Sequence, residues 1–127
     1  MYLKSFKELI VWQKSMDLAV LIFDLTSKFP KSELYGLVSQ MRRAAVAIPS
    51  NIAEGYGRRS RKEFHQFIAI AYSSALELET QLLLTKRLKF VSSNDFTKTY
   101  SLLQENLKML NSLLSKLKTN HYTLNAK

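Results

Sequence analysis

What most constrains this chain is how rarely it is punctuated. Three glycines and two prolines in 127 residues divide it into four long stretches whose apolar residues recur every three or four positions, the period of a helix buried along one side. The first stretch opens at Ser5, where Ser5 and Glu8 stand at capping-box spacing, and Phe29-Pro30 closes it, predicting a helix over about 5–28. Two apolar lines run along it: Leu9, Trp12, Met16, Ala19 and Phe23 form one, and Leu18, Ile22, Leu25 and Phe29 the other. The second stretch, about 32–56, places Val38, Met41, Ala45, Ile48, Ile52 and Gly55 on one line and ends at Gly55 and Gly57. Pro49 lies inside it. A proline there has no N–H to donate and its ring presses on the Ala45 carbonyl, so a kink is expected between Ala45 and Pro49.

The third stretch, about 60–87, begins with a second capping box, Ser60 and Glu63. It continues through Phe64, Phe67, Ile68, Ala71, Ala75, Leu78 and Leu82, with a second line at Tyr72, Leu76 and Leu83. The fourth, about 94–119, alternates Phe96, Tyr100, Leu103, Leu107, Leu110, Leu114 and Leu117 in the four-three rhythm of a bundle seam. The polar, aperiodic tail 120–127 is expected to fray. Short connections make consecutive helices antiparallel, so the expected fold is all-α: an up-down-up-down four-helix bundle forming a single domain over residues 1–127. The second apolar lines exceed what four helices hide around one core, which predicts a homo-oligomer; the alternative is a thick monomeric core with scattered surface leucines.

Composition then removes whole classes of chemistry. With no cysteine there is no disulfide, no thiolate metal site and no cysteine nucleophile. The longest uncharged run, Phe64 to Leu76, is shorter than a membrane span needs, and no small-residue cleavage site follows the N-terminal apolar stretch, so a cytoplasmic protein without a membrane partner is expected. Neither histidine, His65 or His121, has a glutamate three residues before it, as the dimetal bundles require. Glu77 and Glu79 lie two apart, on different helix faces, and fit solvated or helix–helix polar contacts. No nucleophile elbow or glycine-rich phosphate loop occurs. No catalytic, cofactor-binding or metal-ligating residue is therefore assigned.

The basic residues carry more information. Nineteen lysines and arginines stand against ten acids, a formal net charge of +9, which favours an anionic partner. Six of the cations, Arg42, Arg43, Arg58, Arg59, Arg61 and Lys62, fall between positions 42 and 62 with Glu54 as the one acid among them. Arg58 to Lys62 covers the second turn and the start of the third helix, where the helix dipole disfavours positive charge. Arginine forks, free N–H groups and Tyr56 together resemble a phosphate site, whereas the plain alternative is a solvated charged turn. Lys86, Arg87 and Lys89 close the third helix, where cations suit the dipole.

The run Arg43-Ala44-Ala45-Val46-Ala47-Ile48-Pro49-Ser50-Asn51-Ile52-Ala53-Glu54-Gly55-Tyr56-Gly57-Arg58, followed by Phe64 and by Ser74-Ala75-Leu76-Glu77-Leu78-Glu79-Thr80, resembles the bacterial four-helix bundles of the S23, or 23S rRNA intervening-sequence, protein family. The accessory variability determinant of diversity-generating retroelements is similar. The resemblance runs from Phe6-Lys7-Glu8-Leu9 over nearly the whole chain. It implies a pentameric ring with a basic surface, and family signature positions at Pro49, Ser50, Asn51, Glu54, Gly55 and Arg58 and, on the third helix, Ser74, Glu77 and Glu79. Ser73 stands where many relatives have glycine, and Tyr72 where several have a basic residue. Encoding within an rRNA intervening sequence does not make a protein part of the ribosome.

Two functional expectations follow. The first is a non-enzymatic oligomer that binds structured RNA or RNA–DNA hybrid through phosphates met by Arg42, Arg43, Arg58, Arg59, Arg61 and Lys62. The second is an interaction scaffold whose partner is a protein, such as a reverse transcriptase encoded nearby.

Overall fold

Helix boundaries are set by side-chain chemistry at a few positions. In the computed structural model, which describes residues 4–125, the helices are α1 (Ile10–Thr26), α2 (Ser39–Tyr56), α3 (Arg61–Arg87) and α4 (Ser93–Asn125). Ser60, in extended conformation, caps α3: its hydroxyl accepts from the Glu63 N–H at 3.0 Å and donates to the Glu63 carboxylate at 3.1 Å. At the other end of α3 the Phe90 N–H reaches back to the Thr85 carbonyl at 3.0 Å and the Lys89 N–H to that of Lys86 at 3.1 Å. That pair of bonds needs a left-handed residue between helix and loop, and Lys89 takes the role with φ 61°. The Ser92 hydroxyl then opens α4 by accepting from the Asp95 N–H at 3.1 Å.

Three expectations are corrected. The first helix does not begin at Ser5; Ser5 caps only a short 3₁₀ turn, Phe6–Glu8, accepting from Lys7, while Glu8 bonds the Lys4 N–H at 3.0 Å. Leu9 is extended, and the turn lays the Phe6 ring against Trp12, centroids 5.2 Å apart, before α1 starts. The kink expected at Pro49 is not shown: α2 is continuous through it, and the non-helical backbone lies at Gly36, φ −114° and ψ −107°, in a wide turn over Leu34–Val38. Inside α2 the Asn51 side-chain amide adds a bond to the Ala47 carbonyl at 2.7 Å, within the turn that contains the proline. Finally, α4 continues through Asn125 instead of fraying after 119, since no glycine or proline interrupts that segment; residues 126 and 127 of the expected tail lie outside the described residues.

Each helix packs on its neighbours in the order α1–α2–α3–α4 and back to α1, which is an antiparallel four-helix bundle. Its centre is Leu18 and Ile22 of α1, Met41, Ala45, Ile48 and Ile52 of α2, Ile68, Ala71, Ala75, Leu78 and Leu82 of α3, and Leu103 and Leu110 of α4, all fully buried. Each large aliphatic side chain removed from water in this way stabilises the fold by about 1.5–3 kcal/mol. On α1 the core line is Leu18, Ile22 and Leu25, joined by Val11 and continued past the helix end by Phe29; the line through Met16 and Phe23 opens to solvent. Among the described residues α3 alone is long and apolar enough to pass for a membrane span, yet its core line is the one that packs between α2 and α4.

Polar bonds cross the helix seams. Glu79 of α3 accepts from the Tyr100 hydroxyl at 2.8 Å and the Gln104 amide at 2.7 Å, both on α4. Lys14 of α1 pairs with Glu105 of α4 at 2.9 Å, and Lys28 with Asp95 at 3.1 Å.

Candidate nucleic-acid interface

The α2–α3 turn concentrates charge because the residues that form it have no apolar task. Gly57 ends α2, Ser60 caps α3, and Arg58, Arg59, Arg61 and Lys62 are exposed around them. Beneath the turn the helices meet closely, since Gly55 faces α3 with so little room that a Cβ would fall 2.6 Å from that of Phe67. Tyr56, expected beside a bound phosphate, instead sets its ring edge-on to Phe64 at 6.0 Å and is half-buried. The turn therefore sits on an aromatic floor. A cleft of about 250 Å³ opens here, lined by Arg58, Arg59, Ser60, Arg61, Phe64 and, from α4, Leu117.

The four cations of the turn are not equivalent. Arg58 is held inside the chain: it pairs with Glu54 at 2.9 Å, lies 4.0 Å from Glu63 and stacks on the Phe67 ring at 4.8 Å. Arg59, Arg61 and Lys62 have no acidic partner among the described residues. Arg61 and Lys62 occupy the first turn of α3, where backbone N–H groups also face outward and the dipole is positive. An anion placed there meets fixed N–H donors and mobile cations together.

The structure separates what the sequence placed side by side. Arg42 and Arg43 lie near the start of α2 and Arg58 just past its end, so about fifteen residues of helix, roughly 22 Å, divide the two groups. Arg42 is employed elsewhere: its Nε donates to the Thr26 hydroxyl at 2.9 Å, a terminal nitrogen donates to the Phe23 carbonyl at 3.3 Å, and its guanidinium lies over the Phe23 ring at 4.7 Å. It is a cap on the C-terminus of α1. Arg43 is exposed and has no such bond among the described residues.

The signature residues are placed within and between helices. Pro49 and Ser50 wall an open apolar groove of about 510 Å³ between α1 and α2, shared with Trp12, Met16, Val20 and Val46. Asn51 bonds within α2, Glu54 holds Arg58, Gly55 admits Phe67, and Glu79 bridges to α4. Ser74 is half-buried, and exposed Glu77 accepts from Gln81 at 3.2 Å. His65 is half-buried as well, and no cluster of His, Asp or Glu among the described residues could hold a metal. Sequence reasoning missed Tyr35, 93% exposed in the turn between α1 and α2, at the opposite end of the bundle. Its position after Pro30 and before Gly36 was the signal for a projecting turn.

Comparison with known proteins agrees with this architecture. The model of the 23S rRNA-intervening sequence protein family matches residues 7–112. A protein of unknown function from the S23 ribosomal protein family of Bacteroides thetaiotaomicron superposes with a TM-score of 0.75 at 25% sequence identity, covering 83% of this chain and 98% of the other. No curated protein matches the chain. Neither the family nor the neighbour is described as an enzyme.

Proposed function

We propose, from the premise that this chain belongs to the 23S rRNA-intervening sequence protein family, that it is a non-enzymatic homo-oligomer whose basic surface binds nucleic acid through its phosphates. The observation that carries the reading is the trio Arg59, Arg61 and Lys62, exposed at the N-terminus of α3 with no acidic partner among the described residues. Three cations of one chain bind a phosphodiester weakly, and linked copies convert weak contacts into avidity. In the pentamer that the family resemblance implies, five chains of +9 would carry a formal charge of 5 × 9 = +45. Such a surface favours densely charged, structured RNA or RNA–DNA hybrid and reads no base edges. Arg42 leaves the proposed contact set because it caps α1.

The test is a salt series of binding to labelled structured RNA, RNA–DNA hybrid, single-stranded DNA and duplex DNA, with the mass followed by light scattering. Affinity falls steeply with salt, and replacing Arg59, Arg61 and Lys62 with glutamine lowers the log–log slope by about one for each phosphate no longer neutralised, alike on unrelated sequences. Absence of binding at low salt by a well-formed oligomer overturns the reading and favours a scaffold for a protein partner, such as a reverse transcriptase, docked on the exposed apolar faces.

A further inference from the structure

A second open groove, of about 360 Å³, runs along the side of the bundle between the start of α1 and the middle of α4. Aliphatic side chains make its floor, Leu9 and Ile10 from one wall and Met109 and Leu113 from the other. Ile10 is 55% exposed, so a molecule that covers it gains the free energy of its burial. The rim on the α4 side is Lys108, Ser112 and Lys116. Four-residue steps keep them on one side of the helix and set the two lysines about 12 Å apart along its axis.

Charge distinguishes this groove from the one between α1 and α2, which Asp24 lines. No acid lines the α1–α4 groove, and the chain holds none after Glu105. The acids nearest to it are engaged or stand past its end. Glu8, beside Leu9, accepts from the Lys4 N–H at 3.0 Å. Glu105, three residues before Lys108, pairs at 2.9 Å with Lys14, four residues after Ile10, so this ion pair bridges α1 and α4 at one end of the groove. Asp17 lies about a turn further on. On the groove's side of the bridge Lys108 and Lys116 are exposed and have no acidic partner among the described residues.

We propose that the α1–α4 groove takes an acidic amphipathic helix of a partner protein. The helix lays its apolar stripe on Leu9, Ile10, Met109 and Leu113, and two of its carboxylates, about seven or eight residues apart, meet Lys108 and Lys116. This contact shares no residue with the basic turn and does not rest on the nucleic-acid reading. A nucleic acid would bring phosphates to the lysines but no aliphatic stripe to cover Ile10. A flat bilayer does not follow a concave seam between two helices. A second copy brings a net charge of +9 to a cationic rim. Its convex apolar ridge, Ile70, Leu76 and Leu84 on the outer side of α3, offers the two lysines a single exposed carboxylate, Glu77, and its Asp24 belongs to a concave surface that cannot fill another.

The test uses the full chain and a labelled designed peptide of about 18 residues, long enough to form a helix, with leucines at helical spacing and glutamates seven apart. One control peptide carries lysine for glutamate and another serine for leucine. Fluorescence anisotropy shows the glutamate–leucine peptide binding about tenfold or more tightly than either control. Ile10→Asp, at an exposed site, leaves the bundle helical by circular dichroism and weakens that binding about tenfold. Lys108→Glu and Lys116→Glu each weaken it about fivefold, and the double variant prefers the lysine peptide. Glutamine at Arg59, Arg61 and Lys62 leaves it within about twofold. Equal binding of the serine control, a double variant that still prefers the glutamate peptide, or loss of binding in the glutamine variants overturns the proposal. So does an Ile10→Asp chain whose mass falls in light scattering, which gives the groove to a second copy, or one that loses only its cosedimentation with phosphatidylglycerol vesicles, which gives it to a membrane.

Discussion

At the scale of single residues, the signature positions serve different ends: Gly55 makes room, Asn51 bonds back to the Ala47 carbonyl within its own helix, Glu54 holds Arg58 and Glu79 crosses a seam. At Gly55 no side chain fits where α2 meets Phe64 and Phe67. Gly55→Ala should therefore destabilise the fold by about 1–3 kcal/mol through overpacking, although alanine is the better helix former; urea unfolding measures it, and a neutral result would mean that Phe67 moves aside at little cost. Tyr100 crosses a seam, and its bond to Glu79 has a pH signature. The hydroxyl's pKa is raised above its usual value, first by the hydrogen bond it donates to Glu79, then by burial and by the carboxylate's charge. A pKa that is higher in the folded than in the unfolded chain gives a contribution that is complete below about pH 10 and is lost as pH rises through the folded value. Tyr100→Phe should thus be less stable than the starting protein near neutrality, with the difference shrinking in alkali. A gap that stays constant to about pH 12 would show that the bond to Glu79 does not stabilise the fold.

At the scale of helices, ends matter more than middles. The capping box at Ser60 was legible in four letters of sequence because its partners are local. The one at Ser5 was misread for the opposite reason: the same spacing serves a short turn when packing against Trp12 draws the chain aside. Arg42 shows the same limit. Its sequence neighbourhood groups it with the surface arginines, but its side chain reaches across to α1 and bonds Thr26 and the Phe23 carbonyl. Arg42→Ala is expected to cost about 1–2 kcal/mol of stability, as a half-buried charged hydrogen bond at a helix C-terminus. The Arg59, Arg61 and Lys62 glutamine variants, exposed and without an acidic partner, should stay within about 0.5 kcal/mol. Calorimetry of both sets separates a structural cation from ligand-binding ones.

At the scale of the whole molecule, the basic turn and the open apolar surfaces are laid out separately. The free cations of Arg59, Arg61 and Lys62 lie at the end of the bundle, whereas the open grooves and the α3 ridge run along its sides. In the homo-oligomer proposed above, several copies of the Arg58 to Lys62 turn would present their cations together, the arrangement that avidity for a phosphate backbone requires. Glutamine at the turn should therefore weaken nucleic-acid binding without changing the mass of the assembly in light scattering.

The number of helices, their approximate extents and the line each buries were readable because helical period and scarce punctuation are local properties of the chain. Membership of a family with this fold was readable in the Pro49 to Gly55 run and the Ser74 to Glu79 segment. The tertiary structure decided what depends on neighbours distant in sequence. It chose which of the two apolar lines of α1 enters the core, moved the backbone irregularity from Pro49 to Gly36, split six cations into a helix cap (Arg42), an exposed arginine on α2 (Arg43), an ion pair within the chain (Arg58) and an exposed trio at the turn (Arg59, Arg61 and Lys62), and turned Glu79 inward while Glu77 stayed out. A helical pattern states only which side chains share a face; what that face meets, and whether a charge on it finds an opposite charge, is settled when the other three helices close around it.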